Sequence, residues 1–369
     1  MMNQRKFNMP GAKSRILVAP LDWGLGHATR CIPIIQHLQS LDCEVFIAAE
    51  GPIKVLLQSS FPEMQFLELG GYHIHLSRSR SGFGFQIIRQ LPKIIATIYH
   101  ERRWLKAAIK KHEFDAVISD NRPGLNHRSI PCTYITHQLF IKTNNRLTAW
   151  LAQKIHYHFI NKFDSCWVPD MASEQNLAGA LSHPEKLPRV PIQYIGPLSR
   201  FQKSDQQKKY ALAVLLSGPE PQRTILEEII RTELKNYTEP VLLIRGLPGN
   251  KETILGFNPN VEIENHLNAA ELNEALLATE LVICRSGYST VMDLVLLQQK
   301  AILIPTPAQT EQEYLADNLK EKKLFYSCTQ EDFNFSEALK QAAAFPFISF
   351  ETNNELYKTA VDELVNSLI

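Results

Sequence analysis

A short apolar run, a glycine loop and a helical pattern follow one another near the start of the chain, and the same unit recurs along most of its length. Residues 15–20, RILVAP, suit a strand buried on both faces; LDWGLGHATR follows, and then Ile32, Ile35 and Leu38 fall on one helical face. CEVFIAAE (43–50) supplies a second strand, and DAVISD (115–120), PCTYITHQ (131–138) and DSCWVPD (164–170) continue the series with helical segments between them. Such alternation predicts a parallel sheet covered by helices, whose ligands collect at the carboxyl ends of the strands. A polar stretch at 200–209, RFQKSDQQKK, has almost nothing to bury and reads as a linker. The alternation then restarts with ALAVLLSGPEPQ (211–222), PVLLIRG (240–246), VEIENHL (261–267), LVICRSG (281–287) and AILIPTP (301–307), with helices beginning at Ser289 and Glu311. The expected fold is α/β: two doubly wound Rossmann-like domains facing a cleft, over 1–200 and 201–350, and a C-terminal helix over 351–369 that can return to the first domain.

A chain of 369 residues with 44% hydrophobic residues suits two such domains. No apolar run approaches the roughly 18 residues of a membrane span, and the start lacks the apolar stretch of a secretory signal, so the expected location is the cytoplasm. Six scattered cysteines without a C-x-x-C pair read as buried thiols and carry no zinc site. The net charge of +1 conceals an asymmetry: residues 1–200 hold 24 lysines and arginines against 14 acids, and the remainder 15 against 24. A basic half suggests phosphates or an anionic surface as its partner.

Chemistry concentrates in the loops. Gly24-Leu-Gly26-His27 joins the first strand to the first helix, where unpaired N–H groups and the helix dipole favour an anion. A dinucleotide fingerprint needs a third glycine where Thr29 stands, which disfavours a nicotinamide cofactor even though Glu50 follows the second strand. At the helix mouth the dipole lowers the pKa of His27 and keeps it neutral, able to accept a proton; a capping role is the other reading. Asp22 and Asp120, which follow strand ends in the same domain, stand behind it as candidate bases. In the second half, Ser217, Gly218 and Gln222 of LSGPEPQ offer donors to a diphosphate or a sugar hydroxyl. Within CRSGYSTVMD, Ser286 and Gly287 would present amides and a hydroxyl to a phosphate, and Asp293, about two turns on, could accept ribose hydroxyls. Arg285 has two readings, neutralising a leaving diphosphate or pairing structurally. Gln309, Gln312 and Glu313, after the next strand, could contact the other end of the ligand.

At these residues the chain resembles the GT-B glycosyltransferases of family 28, the group of the peptidoglycan-lipid N-acetylglucosaminyltransferase and the plant galactolipid synthases. GLGHATR looks like the family's N-terminal glycine-histidine loop, SGPEPQ its mid-chain loop, CRSGYSTVMD its nucleotide-sugar motif and PAQTEQEYLA its sugar-facing segment. The resemblance implies that Ser286, Gly287 and Thr290 border the donor diphosphate, that Asp293 takes the ribose-binding acidic position and that His27 sits near the transfer centre. It implies a uridine-diphosphate sugar as donor and a lipid or cell-envelope glycan precursor as acceptor. Two departures stand out: Asp293 where the family often has glutamate, and Gln312 with Glu313 where paired glutamines are usual. The chain has no D-x-D sequence, the usual divalent-metal clamp of the other major glycosyltransferase fold, and the expectation is a metal-free, cofactor-free, inverting transfer.

Two rival readings share the fold: a sugar-nucleotide epimerase or hydrolase, and a non-catalytic nucleotide-sugar binder. A Ser-His-Asp hydrolase lacks its G-x-S-x-G elbow, and nucleic acid is not an expected partner because the cations are not interleaved with an aromatic platform. Between Gly82 and His112 lie Arg89, Lys93, Arg102, Arg103, Lys106, Lys110 and Lys111 against the single acid Glu101, together with Phe83, Ile95, Tyr99 and Trp104. A helix or pair of helices here could rest on an anionic membrane, placing the enzyme peripherally at its inner face; covering the N-terminal sheet is the other use of the same apolar residues.

Overall fold

A computed structural model describes residues 13–72, 83–142, 146–250, 257–353 and 355–368, and the chain divides into two compact units. The first comprises, among the described residues, 13–72, 83–199 and 353–368, and the second 200–352.

The first unit runs β1 (Arg15–Pro20), α1 (Leu25–Ser40), β2 (Glu44–Ala48), α2 (Gly51–Ser60), β3 (Gln65–Leu67), α3 (Phe83–His112), β4 (Ala116–Asp120), β5 (Cys132–Ile135), α4 (Arg146–Ile160), β6 (Ser165–Val168) and β7 (Ile192–Tyr194). Its strands form a parallel seven-stranded sheet in the order β3-β2-β1-β4-β5-β6-β7 among the described residues. The strand order reverses between β1 and β4, which places a crevice at their carboxyl ends. Both sheet faces are apolar, as parallel strands require: on one, Leu17, Phe46, Val117, Tyr134 and Cys166 pack against Leu105 of α3 and Ile160 of α4, and on the other Ile16, Val18, Ile47 and Ile118 are buried. Cys31, Ile34, Ile35 and Leu38 bury the inner face of α1.

The second unit runs β8 (Tyr210–Leu215), α5 (Gln222–Leu234), β9 (Val241–Ile244), β10 (Val261–Glu264), α6 (Ala269–Leu277), β11 (Thr279–Cys284), α7 (Tyr288–Leu297), β12 (Lys300–Leu303), α8 (Thr310–Glu321), β13 (Tyr326–Ser327) and α9 (Phe335–Ala344). The sheet order is β10-β9-β8-β11-β12-β13, again parallel, and the reversal falls between β8 and β11. Val214, Ile283 and Ile302 form its centre with Leu226 and Ile230 of α5 and Phe335 of α9.

The last helix, α10 (Leu356–Asn366), belongs to the first unit. Ala360 and Val361 are buried, Asp362 Oδ1 lies 2.8 Å from His37 Nε2 of α1, and Glu363 accepts a 2.9 Å bond from Gln193. The two Rossmann-like domains and the returning helix are those the alternation predicts. Three short strands, β3, β7 and β13, had no signal in the apolar pattern, and all three are edge strands.

Candidate active site

In the first unit, the reversal between β1 and β4 brings His27 to Asp120. Gly24 caps α1 at φ 86° and ψ 159°, a conformation essentially restricted to glycine, and His27 follows in the first helical turn. Asp120 ends β4 beside Pro20 of β1 and is completely buried. Its Oδ2 lies 3.0 Å from His27 Nδ1 and accepts a 2.8 Å bond from Arg30 Nε, while its Oδ1 accepts from Arg30 Nη2. Arg30 also approaches His137 Nδ1 at 3.1 Å. Burial would raise the Asp120 carboxyl, but the charges of Arg30 and His27 and their hydrogen bonds overcome it and hold it at about 2. Burial pushes the imidazole of His27 below the ordinary histidine range, Arg30 pushes the same way and Asp120 opposes both. A neutral imidazole at neutral pH follows.

Nδ1 of His27 has two neighbours, Asp120 Oδ2 at 3.0 Å and Arg30 Nη2 at 2.8 Å. A proton on Nδ1 donates to Asp120 and leaves the Nε2 lone pair free to act as a base. A lone pair on Nδ1 accepts from Arg30 and places the proton on Nε2. Asp22, the other candidate base, is occupied elsewhere: its Oδ1 accepts the Tyr72 N–H at 3.0 Å, and Glu50 accepts the neighbouring Gly71 N–H at 2.6 Å. These two acids shape the loop over 70–72. Gly26 supplies a carbonyl to Thr29 Oγ1 at 3.0 Å within the same turn.

In the second unit, three loops meet at the carboxyl ends of β8, β11 and β12. Arg285, 1% exposed, ties them together: Nη1 donates to the carbonyls of Ile304 (3.3 Å) and Pro305 (3.2 Å), and Nη2 to the Gln222 carbonyl and to Gln330 Oε1, both at 2.7 Å. Burial lowers its pKa only to about 10, so the charge is kept. Its bonds are to three backbone carbonyls and one side-chain amide, and among the described residues it has no carboxylate partner. Gln222 Oε1 accepts from Gln330 at 3.1 Å. Ser286 Oγ donates to the Gln312 carbonyl at 2.8 Å, Gln312 Oε1 accepts the Thr306 N–H at 2.8 Å and Glu313 Oε1 accepts the Ala308 N–H at 3.1 Å. Gln312 and Glu313 therefore fold the loop before α8 onto its first turn, with Gln309 as the N-cap.

What these loops leave open is backbone. The helices that leave these three loops, α5, α7 and α8, have no side-chain hydrogen bond from their N-cap residues, whereas Asn268 caps α6 and Asn334 caps α9; at α5, Glu220 Oε2 accepts the Thr224 N–H at 3.2 Å. Nothing lies within 4 Å of the position a Cβ on Gly287 would take, so the first turn of α7, with Thr290, opens onto free space. Gly218 turns at φ 99° in the loop containing Ser217, facing Thr306, whose buried Oγ1 has no hydrogen-bond partner among the described residues. Asp293 is half-buried further along α7, and its charge bears on the half-buried Arg200. Uncapped N–H groups on one edge of a sheet form a site for an anion.

Residues 223–359 match the glycosyltransferase family 28 C-terminal domain. The second unit thus resembles the C-terminal domain of the family 28 glycosyltransferases. The glycosyltransferase of kitacinnamycin superposes with a TM-score of 0.65 at 14% identity, over 97% of this chain and 95% of that one. MurG of Acinetobacter baumannii gives 0.55 at 15% identity over 97% and 99%, and SsfS6 of Streptomyces sp. SF2575, complexed with thymidine diphosphate, gives 0.58 at 13% identity over 96% and 95%. These likenesses show the GT-B fold. No curated protein matches by sequence.

Arg30, His137, Arg200, Thr306 and Gln330 carry no motif that singles them out in the sequence; Arg30, one turn beyond His27, is the most legible of them. Along α3, Lys93, Arg103 and Lys106 are exposed, Arg102 is half-buried and donates to Asn126 Oδ1 at 3.2 Å, and the Arg89 side chain lies outside the described residues. Trp104 packs against the sheet core and Ile94 against Leu21, Tyr72 and Ile98, while Ile95 and Tyr99 face solvent.

Proposed function

We propose that this protein is a glycosyltransferase that moves a hexose or N-acetylhexosamine from a uridine-diphosphate sugar to an acceptor hydroxyl, in one metal-independent displacement that inverts the anomeric centre. The observation that carries the reading is the His27–Asp120 contact, a neutral imidazole held by a buried carboxylate at the carboxyl edge of its sheet. With Nδ1–H on Asp120, His27 Nε2 takes the proton of the acceptor hydroxyl as its oxygen bonds to the anomeric carbon and the bond to the diphosphate oxygen breaks. Proton transfer by a positioned imidazole contributes about 10²–10⁴-fold. The charge that develops on the leaving diphosphate meets the uncapped N–H groups of α7, aligned before the reaction. Arg285 holds the loops that present them, Thr306 Oγ1 and Ser217 are further donors, and Asp293 takes the ribose. The thymidine diphosphate bound to SsfS6 supports a nucleotide-linked donor.

The proposed acceptor is a lipid or a cell-envelope glycan precursor, reached from the cytoplasmic face of an anionic membrane. Exposed Lys93, Arg103 and Lys106 beside Ile95 and Tyr99 on α3, and exposed Trp150, Leu151 and Ile155 on α4, support that reading. Among the described residues no helix is long and apolar enough to cross a membrane. The test is flotation with anionic vesicles: binding at low salt, release at high salt, and loss when Arg102, Arg103 and Lys106 become glutamine. A wild-type protein that never floats rejects the membrane part of the reading. The nucleotide is tested by thermal stabilisation with UDP, GDP, TDP and ADP, where a ligand at about a hundredfold its Kd adds about 2.7 kcal/mol; no stabilisation by UDP rejects the donor.

A further inference from the structure

A pocket of about 650 Å³ opens on the first unit among the connections that lead into its strands. Arg102 and Lys106 reach it from α3, His127 and Arg128 from the β4–β5 connection, and Lys162 from the turn before β6; the rest of the wall is asparagine. His127 N–H donates to Sγ of Cys132, which opens β5, and Lys162 lies just before Ser165, which opens β6. The pocket therefore lies at the amino ends of the strands. Asp120 and His27 lie at the carboxyl ends, with the five residues of β4, about 13 Å, in between.

Among the described residues, no carboxylate lines the pocket. The nearest acids along the chain are turned elsewhere: Glu101 accepts from Arg122, Tyr72 and the Gly124 N–H, and Asp164 accepts the Cys132 N–H at 2.8 Å. Lys162 has its ammonium 4.7 Å from the centre of the Phe159 ring, and burial followed by the charge of Arg102 lowers its pKa. Like charges gathered in a concavity repel one another and focus a positive potential that only an anion relieves. The volume exceeds what one inorganic phosphate fills, since a water takes about 30 Å³ of liquid. Arg102 is set in place by Asn126, so its planar fork is pre-oriented for a phosphate.

We propose that this pocket binds a phosphate-rich anion, a diphosphate or a phosphodiester headgroup, at a site separate from the transfer site. The two sources share one chemistry and differ in whether the anion is free or carried by a lipid.

The test uses the full chain and two double variants. Arg128→Gln with Lys162→Gln removes two charges, and Arg128→Lys with Lys162→Arg keeps both as a control for folding. Inorganic diphosphate is titrated by calorimetry in the presence of saturating UDP, and vesicles of phosphatidylcholine with and without phosphatidylglycerol are co-floated. The expected result is saturable diphosphate binding by the wild type that salt weakens, about tenfold or more weaker in the glutamine variant and kept in the charge-preserving one, with UDP affinity equal in all three. Flotation with phosphatidylglycerol that diphosphate displaces and the glutamine variant loses assigns the site to a lipid headgroup; diphosphate binding without flotation assigns it to a soluble anion. Diphosphate affinity and flotation both unchanged in the glutamine variant, or no wild-type binding of either probe, overturns the proposal. The pocket shares Arg102 and Lys106 with the flotation variant above but not Arg128 or Lys162, so diphosphate affinity and flotation both unchanged in the Arg128/Lys162 glutamine variant overturn this site alone, whereas a wild type that binds diphosphate but never floats overturns only the membrane reading.

Discussion

Replacing Asp120 by asparagine keeps the shape of the side chain and removes one charge from the centre of the first unit. In the wild type the carboxyl is held at about 2 instead of its ordinary 3.8, which corresponds to about 2 kcal/mol of folding free energy at neutral pH. Viewed from Arg30, which is 2% exposed, the same change leaves a buried guanidinium without its counter-charge, and breaking such a pair costs about 3–5 kcal/mol. The two figures describe one interaction and do not add, so Asp120→Asn is expected to destabilise the unit by about 2–5 kcal/mol. The sign with pH follows from the depressed pKa: the stabilisation is fully present above about pH 4 and is lost as pH falls toward 2. Urea unfolding followed by tryptophan fluorescence reads the right unit, because Trp23, Trp104, Trp150 and Trp167 all lie in it. The part of the gap that comes from the Asp120 carboxylate should shrink as pH falls below about 4. Equal stability at pH 7, or two curves that stay parallel down to about pH 2, would refute the reasoning.

Because burial and Arg30 lower the pKa of His27, the acid limb of kcat/KM should lie below the ordinary 6.5, with activity falling as pH drops through it; a limb at or above 6.5 contradicts the assignment. Asp293→Ala should weaken UDP binding by about 1.5–3 kcal/mol in calorimetry with the fold intact, and unchanged affinity removes it from the donor site. Gly24→Ala should cost about 1–3 kcal/mol in urea unfolding although no atom lies within 4 Å of the new Cβ, since the strain is in the backbone; a neutral substitution would mean the turn relaxes freely.

The alternation of apolar runs and helices was enough to place the central strands of both sheets, because a strand buried on both faces has to be apolar along its length. Gln65–Leu67, Ile192–Tyr194 and Tyr326–Ser327 escaped because edge strands are short and only partly covered, and leave no run to read. The helix mouths were legible as glycine loops, and His27 and Asp120 as candidates on them. That these two touch depended on the pairing of β1 with β4, which periodicity does not encode. The same holds for Glu101, which reads as one acid in a basic run and is in fact buried against Arg122, 2.8 Å away and 21 residues on. Arg285 stood between two roles in the sequence; its bonds to three loop carbonyls make it a bracket, a role that residue type alone does not reveal.

The central claim, a transfer to an acceptor hydroxyl with His27 as base, is tested most directly by UDP release from UDP-sugars across a panel of lipid and glycan acceptors, for the wild type and His27→Ala. The account predicts release that depends on the acceptor, a product of inverted anomeric configuration, and a loss on the order of a hundredfold or more in the variant with UDP-sugar affinity kept. Donor turnover without any acceptor, a retained configuration, or a His27→Ala enzyme as fast as the wild type would contradict it.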